Sequence, residues 1–291
     1  MDNNLFSGLE DLGLDGLSGT NLFADNKPQS AAAGQGKEEV KEEVKTPEMI
    51  EQEMLLDKTH ECPICSNTFK NRALRTGKAK LVSMDMDLRS KFEGIEPLKY
   101  DVVSCPKCGF TALTRYFKPV TPVQRKTILD KIAANYKPQP EPQGIYTYDV
   151  ALSRYKLALA NAVVKNAKAS EKAYICLRAG WLCRSWAEEL EASDEAVNAA
   201  IEQARGLEKE FLKNAYDGFI AARQNENFPM CGMDEATVDY LIGSLALAQG
   251  HFDVSAKMIA TLLASPSASP RIKDKARDLK EEVVRAMKNS K

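Results

Sequence analysis

From about position 145 onward, apolar residues recur at helical spacing. Ala151, Leu152, Tyr155, Leu159, Ala162 and Val163 form one stripe, which predicts a first helix. Ser170 is the expected N-cap of a second, in which Cys176, Ala179, Cys183, Trp186 and Leu190 follow at spacings of three and four. Trp181 and Leu182 lie off that stripe, so this helix should meet neighbours on two sides. Ser193 is the expected cap of a long third helix through Val197, Ile201, Ala204, Phe211, Ala215 and Phe219, ending before Phe228-Pro229. A fourth is expected from about Asp234 to Gln249, stopped by Gly250. A fifth should cover roughly Asp253–Ala264, and Pro270 should open a sixth that ends near Lys288.

Ahead of the helices the period changes. Lys78–Leu88 alternates over much of its length, and Tyr100–Ser104 reads as a strand running into Cys105. Thr121-Pro122 through Tyr136 predicts one short helix, with Pro122 in its first turn. The alternating prolines of Lys137–Gly144 favour an extended spacer, and the domain boundary is placed there. Residues 1–59 are rich in Gly, Ser, Asn and charge with little to bury, and a disordered acidic tail is expected. Within it, Leu5-Phe6 and Leu22-Phe23 bracket Leu9, Leu12, Leu14 and Leu17 among acidic residues, a pattern that can fold against a partner groove. Gly8, Gly13, Gly16 and Gly19 favour a plain tail instead. The expected architecture is α+β, multidomain and mainly α: tail 1–59, small β domain 60–136, linker 137–144 and helical domain 145–291.

Charge sharpens this division. The net charge of −1 hides a polarised chain. Residues 1–61 carry 14 acidic and 5 basic side chains, residues 62–136 carry 6 and 14, and residues 137–291 carry 21 of each. No apolar run approaches the ~18 residues of a membrane span, and the start Met1-Asp2-Asn3-Asn4 does not read as a signal peptide. The seven cysteines form no even framework, which fits a reducing cytoplasm better than a disulfide scaffold.

The chemistry concentrates in two motifs, Cys62-Pro63-Ile64-Cys65 and Cys105-Pro106-Lys107-Cys108-Gly109. Two Cys-x-x-Cys turns can supply the four thiolates of one tetrahedral zinc, so one structural Zn²⁺ is expected on Cys62, Cys65, Cys105 and Cys108. Gly109 suits a turn exit at positive φ. The 39 intervening residues exceed the roughly 15–20 of a compact ribbon, so a β insertion must be accommodated. A Cys-Pro-x-Cys pair also fits a thiol-disulfide site, which leaves redox chemistry open. His60 is an alternative ligand or an exposed flank. Asp85 and Asp87 would share one strand face and are read as solvated, because no third ligand lies near them in sequence. Cys176 and Cys183 read as buried core thiols, Cys231 as a loop thiol, and His251 as a surface residue.

Ile242-Gly243 followed by Gly250-His251-Phe252-Asp253 falls on the spacing of a tetratricopeptide (TPR) repeat. Small residues at 243 and 250 should let two helices approach, with Ile242 and Phe252 filling the contact. Asp239 and Ser255 depart from that repeat, standing where Trp and Ala are usual. Several motifs together resemble the bacterial family catalogued as domain of unknown function 2225. They are Cys62–Cys65, Arg75-Thr76-Gly77-Lys78, Met84–Asp87, Tyr100–Gly109, Arg154–Ala158 and Tyr240–Gly243. The resemblance covers about residues 50–285 and implies a cytoplasmic bacterial protein with a zinc-ribbon-like front and a TPR-like back, with no activity attached.

The expected function is a non-enzymatic adaptor that takes a protein or peptide partner. Nucleic-acid binding is the alternative, through Lys70, Arg72, Arg75, Lys78, Lys80, Arg115 and Lys118 interleaved with Phe69, Phe110, Tyr116 and Phe117. Two histidines, no phosphate-cradling glycine loop and no nucleophile motif argue against ordinary hydrolase or transferase chemistry.

Overall fold

The computed structural model describes residues 46–193 and 198–289; the Leu- and Phe-bearing segment of the expected tail lies outside them. Helix α1 (Pro47–Glu53) is capped by Thr46, whose hydroxyl accepts from the Met49 N–H. Strand β1 (Leu55–Glu61) then pairs antiparallel with β2 (Thr68–Leu74), Leu55 facing Leu74 and Glu61 facing Thr68. The expected tail boundary at 59 therefore lies too far along the chain. The reason is burial: Glu51 accepts from Lys99 Nζ (3.0 Å) and Tyr100 Oη (2.7 Å), and Leu55 packs with Ile95, Tyr100 and Tyr146.

A second hairpin joins β3 (Leu81–Met84) to β4 (Ser90–Phe92), and a third joins β5 (Val102–Ser104) to β6 (Thr111–Leu113). The alternating run expected to be one strand breaks after Met84. Asp85 N–H donates to the Arg89 carbonyl (2.8 Å), and Leu88 adopts φ +71°, so Asp85–Leu88 is a turn. Helix α2 (Pro122–Ile128) starts at a reciprocal Thr121–Gln124 capping box and runs on as a wider turn over Leu129–Ala133.

Six helices follow: α3 (Tyr148–Val164), α4 (Ala169–Glu191), α5 (Asn198–Asn225), α6 (Glu235–Ala248), α7 (Phe252–Ala264) and α8 (Pro270–Asn289). Consecutive helices pack side by side, and α8 also reaches α6. Local chemistry sets several ends: Asp234 caps α6 by accepting from Thr237 N–H (2.8 Å), and Pro270 is the first residue of α8. One expected cap is otherwise employed: Ser170 lies inside α4 and donates to Glu226 (2.5 Å). Ser193 donates to the Leu190 carbonyl (2.9 Å), and residues 194–197, where its expected capping contacts would fall, lie outside the described residues.

The two glycines of the repeat-like stretch have different tasks. At Gly243 a Cβ would stand 3.3 Å from Met258 Cβ, and the Ser255 hydroxyl donates to the Gly243 carbonyl (2.7 Å), so α6 and α7 meet closely there. Ile242 is buried beside it, and Phe252 packs partly against the cluster of Tyr240, Ile259 and Leu262. Gly250, also expected at a close approach, has open space around its Cα but sits at φ +77°. It ends α6 by conformation rather than by size.

The Pro-rich segment does not divide two separate cores. One continuous apolar core runs from Cys62, Ile64, Val103 and Phe110 through Ile128 and Ile132 to Tyr155, Leu159, Phe211 and Leu245. Helix α3 lies directly against β5 and β6, because Tyr155, Leu157, Ala158, Leu159 and Ala162 are all buried around it. A helix apolar on nearly every side needs neighbours on every side.

Candidate metal centre

The first and third hairpins each deliver a cysteine pair in the same way. Strand β1 runs into Cys62, whose N–H donates to the Asn67 carbonyl (2.9 Å), while Ser66 N–H returns to the Cys62 carbonyl (2.9 Å). Strand β5 runs into Cys105, whose N–H donates to Phe110 (2.9 Å), while Gly109 N–H returns to Cys105 (3.0 Å). The residue after the second cysteine has positive φ in both turns, +55° at Ser66 and +70° at Gly109. In the sequence only Gly109 marks this conformation.

The four sulfurs converge. All lie within 4.8 Å of one another, with Cys62 Sγ 3.6 Å from Cys108 Sγ and Cys65 Sγ 3.7 Å from Cys105 Sγ. A tetrahedral ion with metal–sulfur bonds of about 2.3 Å separates its sulfurs by about 3.8 Å, so this donor set can hold a metal ion. Backbone N–H groups of Ile64 and Cys65 point at the Cys62 sulfur, and those of Lys107 and Cys108 point at Cys105. Crowding sets the protons: donation from Cys108 and Cys62 draws the Cys105 pKa down, and donation to Cys105 pushes Cys62 up. A divalent cation would displace the remaining protons and take the sulfur lone pairs.

Helices hold both turns from outside. Arg125 of α2 donates to the Ile64 carbonyl (2.6 Å), and Asn161 of α3 donates to the Gly109 carbonyl (2.9 Å). Such outer contacts are commonly worth 10–100-fold in metal affinity. Arg125→Ala is accordingly expected to weaken metal binding about tenfold, measured by competition with a colorimetric chelator; unchanged affinity would show that the turn holds itself. A Cβ at Gly109 would stand 2.6 Å from Tyr136 Cγ, on a residue already at positive φ. Strain and overpacking together predict that Gly109→Ala costs about 2–4 kcal/mol in chemical denaturation.

The remaining candidates disperse. His60 is half-buried, stacked on Phe69 (5.9 Å) and edge-on to Phe117 (5.6 Å), so it is neither an exposed flank nor a member of the thiol cluster. Lys70 and Lys78 are exposed. Arg72 pairs with Asp57 (3.2 Å), Arg75 donates to the Leu55 carbonyl (2.7 Å), and Lys80 pairs with Glu93 (2.6 Å). Arg115 donates to the Cys231 carbonyl and Lys118 lies over the Tyr116 ring (5.8 Å). Phe110 is fully buried, and Phe69 and Phe117 pack with His60. Tyr116 and Phe117 keep part of their surface exposed. Cys176 and Cys183 are buried as expected, and burial pushes Cys183 up to about 12. Cys231 has a defined contact, donating to the Ser170 carbonyl (3.2 Å), and burial raises it to about 11. The exposed His251 ring stacks on Tyr216 (5.3 Å).

Asp85 and Asp87 are not a freely solvated pair: Asp85 is half-buried and Asp87 is buried. The hairpin tip that carries them lies against α4 and α6. Arg184 donates to Asp85 (3.1 Å), to both oxygens of Asp87 (3.0 and 2.7 Å) and to Glu208 (2.6 Å), while Trp181 Nε1 donates to Asp87 (3.0 Å). Arg89, only 1% exposed, donates to Asp85 (2.7 Å), Ser185 (2.9 Å) and Glu188 (2.6 Å). Tyr240 Oη reaches the Met86 carbonyl (2.7 Å). Burial works against the charge on Asp85, but Arg89, Arg184 and Lys91 pull its pKa below the usual carboxylate range. The sequence carries one signal of this network, an arginine on a helix whose other faces are largely apolar.

Fold and site together define a mainly α protein in which two cysteine turns, able to hold one metal ion, are built into the flank of a helical stack. The chain belongs to the family domain of unknown function 2225, described as an uncharacterized protein conserved in bacteria, whose model matches residues 55–283. It is also 26% identical over 117 residues to an uncharacterized protein of Borreliella burgdorferi, a match covering 33% of this chain and 42% of that relative. The match thus spans less than half the length of the curated relative. No solved structure matches the chain. Among the described residues, no helix is long and apolar enough to cross a membrane.

Proposed function

We propose that the protein is a non-enzymatic adaptor of the bacterial cytoplasm: a structural Zn²⁺ fixes the two cysteine turns as a zinc ribbon, and a TPR-like helical stack takes a protein partner. The observation that carries this reading is the convergence of four cysteine sulfurs within 4.8 Å. Four thiolates fill the four positions of a tetrahedral zinc and leave none for a reactive water, which is the pattern of a structural rather than a catalytic site. The clamps from Arg125 and Asn161 support the same role, since they make the metal turns a part of the helical core. The close approach of α6 and α7 at Gly243 supports the repeat-like stack. The Asp85–Leu88 tip covers part of α4 and α6, so the partner surface in this reading lies beside it.

The test has two parts. Protein purified without added metal should contain one zinc per chain, with four thiols unreactive until a chelator is added. Crosslinking in bacterial cells followed by mass spectrometry should then give discrete crosslinks from the surfaces of α4 to α8 to another protein. Absence of metal would overturn the structural role, and crosslinks restricted to the chain itself would overturn the adaptor.

A further inference from the structure

Between β4, α1 and the C-terminal half of α4 lies an open cleft of about 820 Å³, within the range of roughly 300–1,000 Å³ typical of ligand sites. Its walls carry six carboxylates, Glu48, Glu51, Glu96, Asp149, Glu188 and Glu189. Against these stand three cations, and each is already paired: Arg89 with Glu188 (2.6 Å) and Asp85 (2.7 Å), Lys91 with Glu188 (3.1 Å), and Lys99 with Glu51 (2.7 Å). Arg89 and Lys99 are also buried, so they cannot swing out to meet an anion.

Glu96 marks where positive charge is missing. It is partly buried and bonded to Ser185 Oγ and the Leu98 N–H (3.0 Å), both neutral, and no ion pair reaches it among the described residues. The nearby guanidiniums of Arg89 and Arg178 are held by other carboxylates, and burial accordingly pushes the Glu96 carboxyl upward. Aromatic surface lies in the same cleft. Tyr148 and Trp186 stand nearly parallel (11°) with centroids 6.2 Å apart, and Trp186 keeps part of its surface exposed. Carboxylates beside an accessible indole suit a planar cation, which gains both a charge-assisted hydrogen bond and a stacking contact.

We propose that this cleft is the docking site for a basic peptide segment of a partner protein, with an arginine side chain entering beside Glu96 and Trp186. The proposal deepens the adaptor reading and rests on it, naming the partner's chemistry and the surface that meets it.

The experiment titrates the full chain with a fluorescein-labelled Gly-Arg-Gly-Arg-Gly peptide, reading fluorescence anisotropy and tryptophan emission. Saturable binding with a change in tryptophan emission is expected, weakened at least tenfold by Glu96→Gln and by Trp186→Ala. Glu189→Gln, at the exposed rim, should weaken binding about threefold and covers the case in which Glu96→Gln disturbs folding. Glu282→Gln, on the remote surface of α8, should leave binding unchanged. Equal losses in the cleft variants and Glu282→Gln would reduce the effect to general charge attraction and overturn the site. So would displacement of the peptide by spermine at equal charge concentration, or no saturation by 1 mM peptide. If the peptide fails while crosslinks to another protein map onto α6–α8, the cleft assignment falls and the adaptor reading stands. If no crosslinks form either, both fall.

Discussion

Replacing Cys105 with alanine is expected to abolish high-affinity metal binding and to unfold the cysteine turns together with the helices packed on them. Metal binding by small four-ligand zinc modules supplies on the order of 10–16 kcal/mol of folding free energy. A whole domain commonly has a net stability of only about 5–15 kcal/mol. Losing one ligand therefore threatens the entire margin, and three crowded thiols lacking their cation do not replace it. The shared core decides how far the damage travels. Cys62, Ile64 and Phe110 are contiguous with Tyr155, Leu159 and the buried residues of α4, so one lowered transition is expected rather than two independent ones. Metal content by atomic absorption and thermal unfolding by circular dichroism check this. Retention of one metal per chain with an unchanged melting temperature would remove the site from the folding account.

Arg184→Ala carries the second large effect, an expected loss of about 3–5 kcal/mol in urea denaturation. The guanidinium is the meeting point of Asp85, Asp87 and Glu208. Its removal leaves carboxylates in a poorly solvated place with fewer cations, and Asp87, with a side chain 8% exposed, has the least access to water. An unpaired buried charge costs more than the intact pair contributes, because the desolvation has already happened. Asp87→Asn should lose less, since Asn retains an oxygen able to accept from Trp181 Nε1 and Arg184. A loss below about 1 kcal/mol for Arg184→Ala would place these ions in effective contact with solvent.

What could be read from the sequence was whatever local chemistry decides. The Cys-x-x-Cys spacing specifies a turn by itself, and two such turns brought together specify a ligand set, so the four thiols could be named before any fold was known. Asp234, Gly250 and Pro270 terminate or open helices through their own backbone preferences, and the ends of α6 and α8 fell where they indicated. Partners distant in sequence were not readable. Asp87 finds Arg184 and Trp181 more than ninety positions along the chain, and nothing in an alternating acidic run announces a buried destination. The same limit hid the start of the fold, since Pro47–Glu53 looks polar until Lys99 and Tyr100 reach Glu51. Pro-rich composition marked 137–144 as a stretch without helix or strand, but whether two elements share a core depends on what packs across it.

Arg125 and Asn161 reach the metal turns through backbone carbonyls, and that has a thermodynamic corollary. Whatever steadies α2 and α3 also steadies the geometry into which an ion must fit. By reciprocity, the ion steadies those helices to the same degree. In the proposed adaptor, metal availability and partner occupancy become linked variables, and a chain starved of the ion is expected to hold its partner more weakly before any of it unfolds.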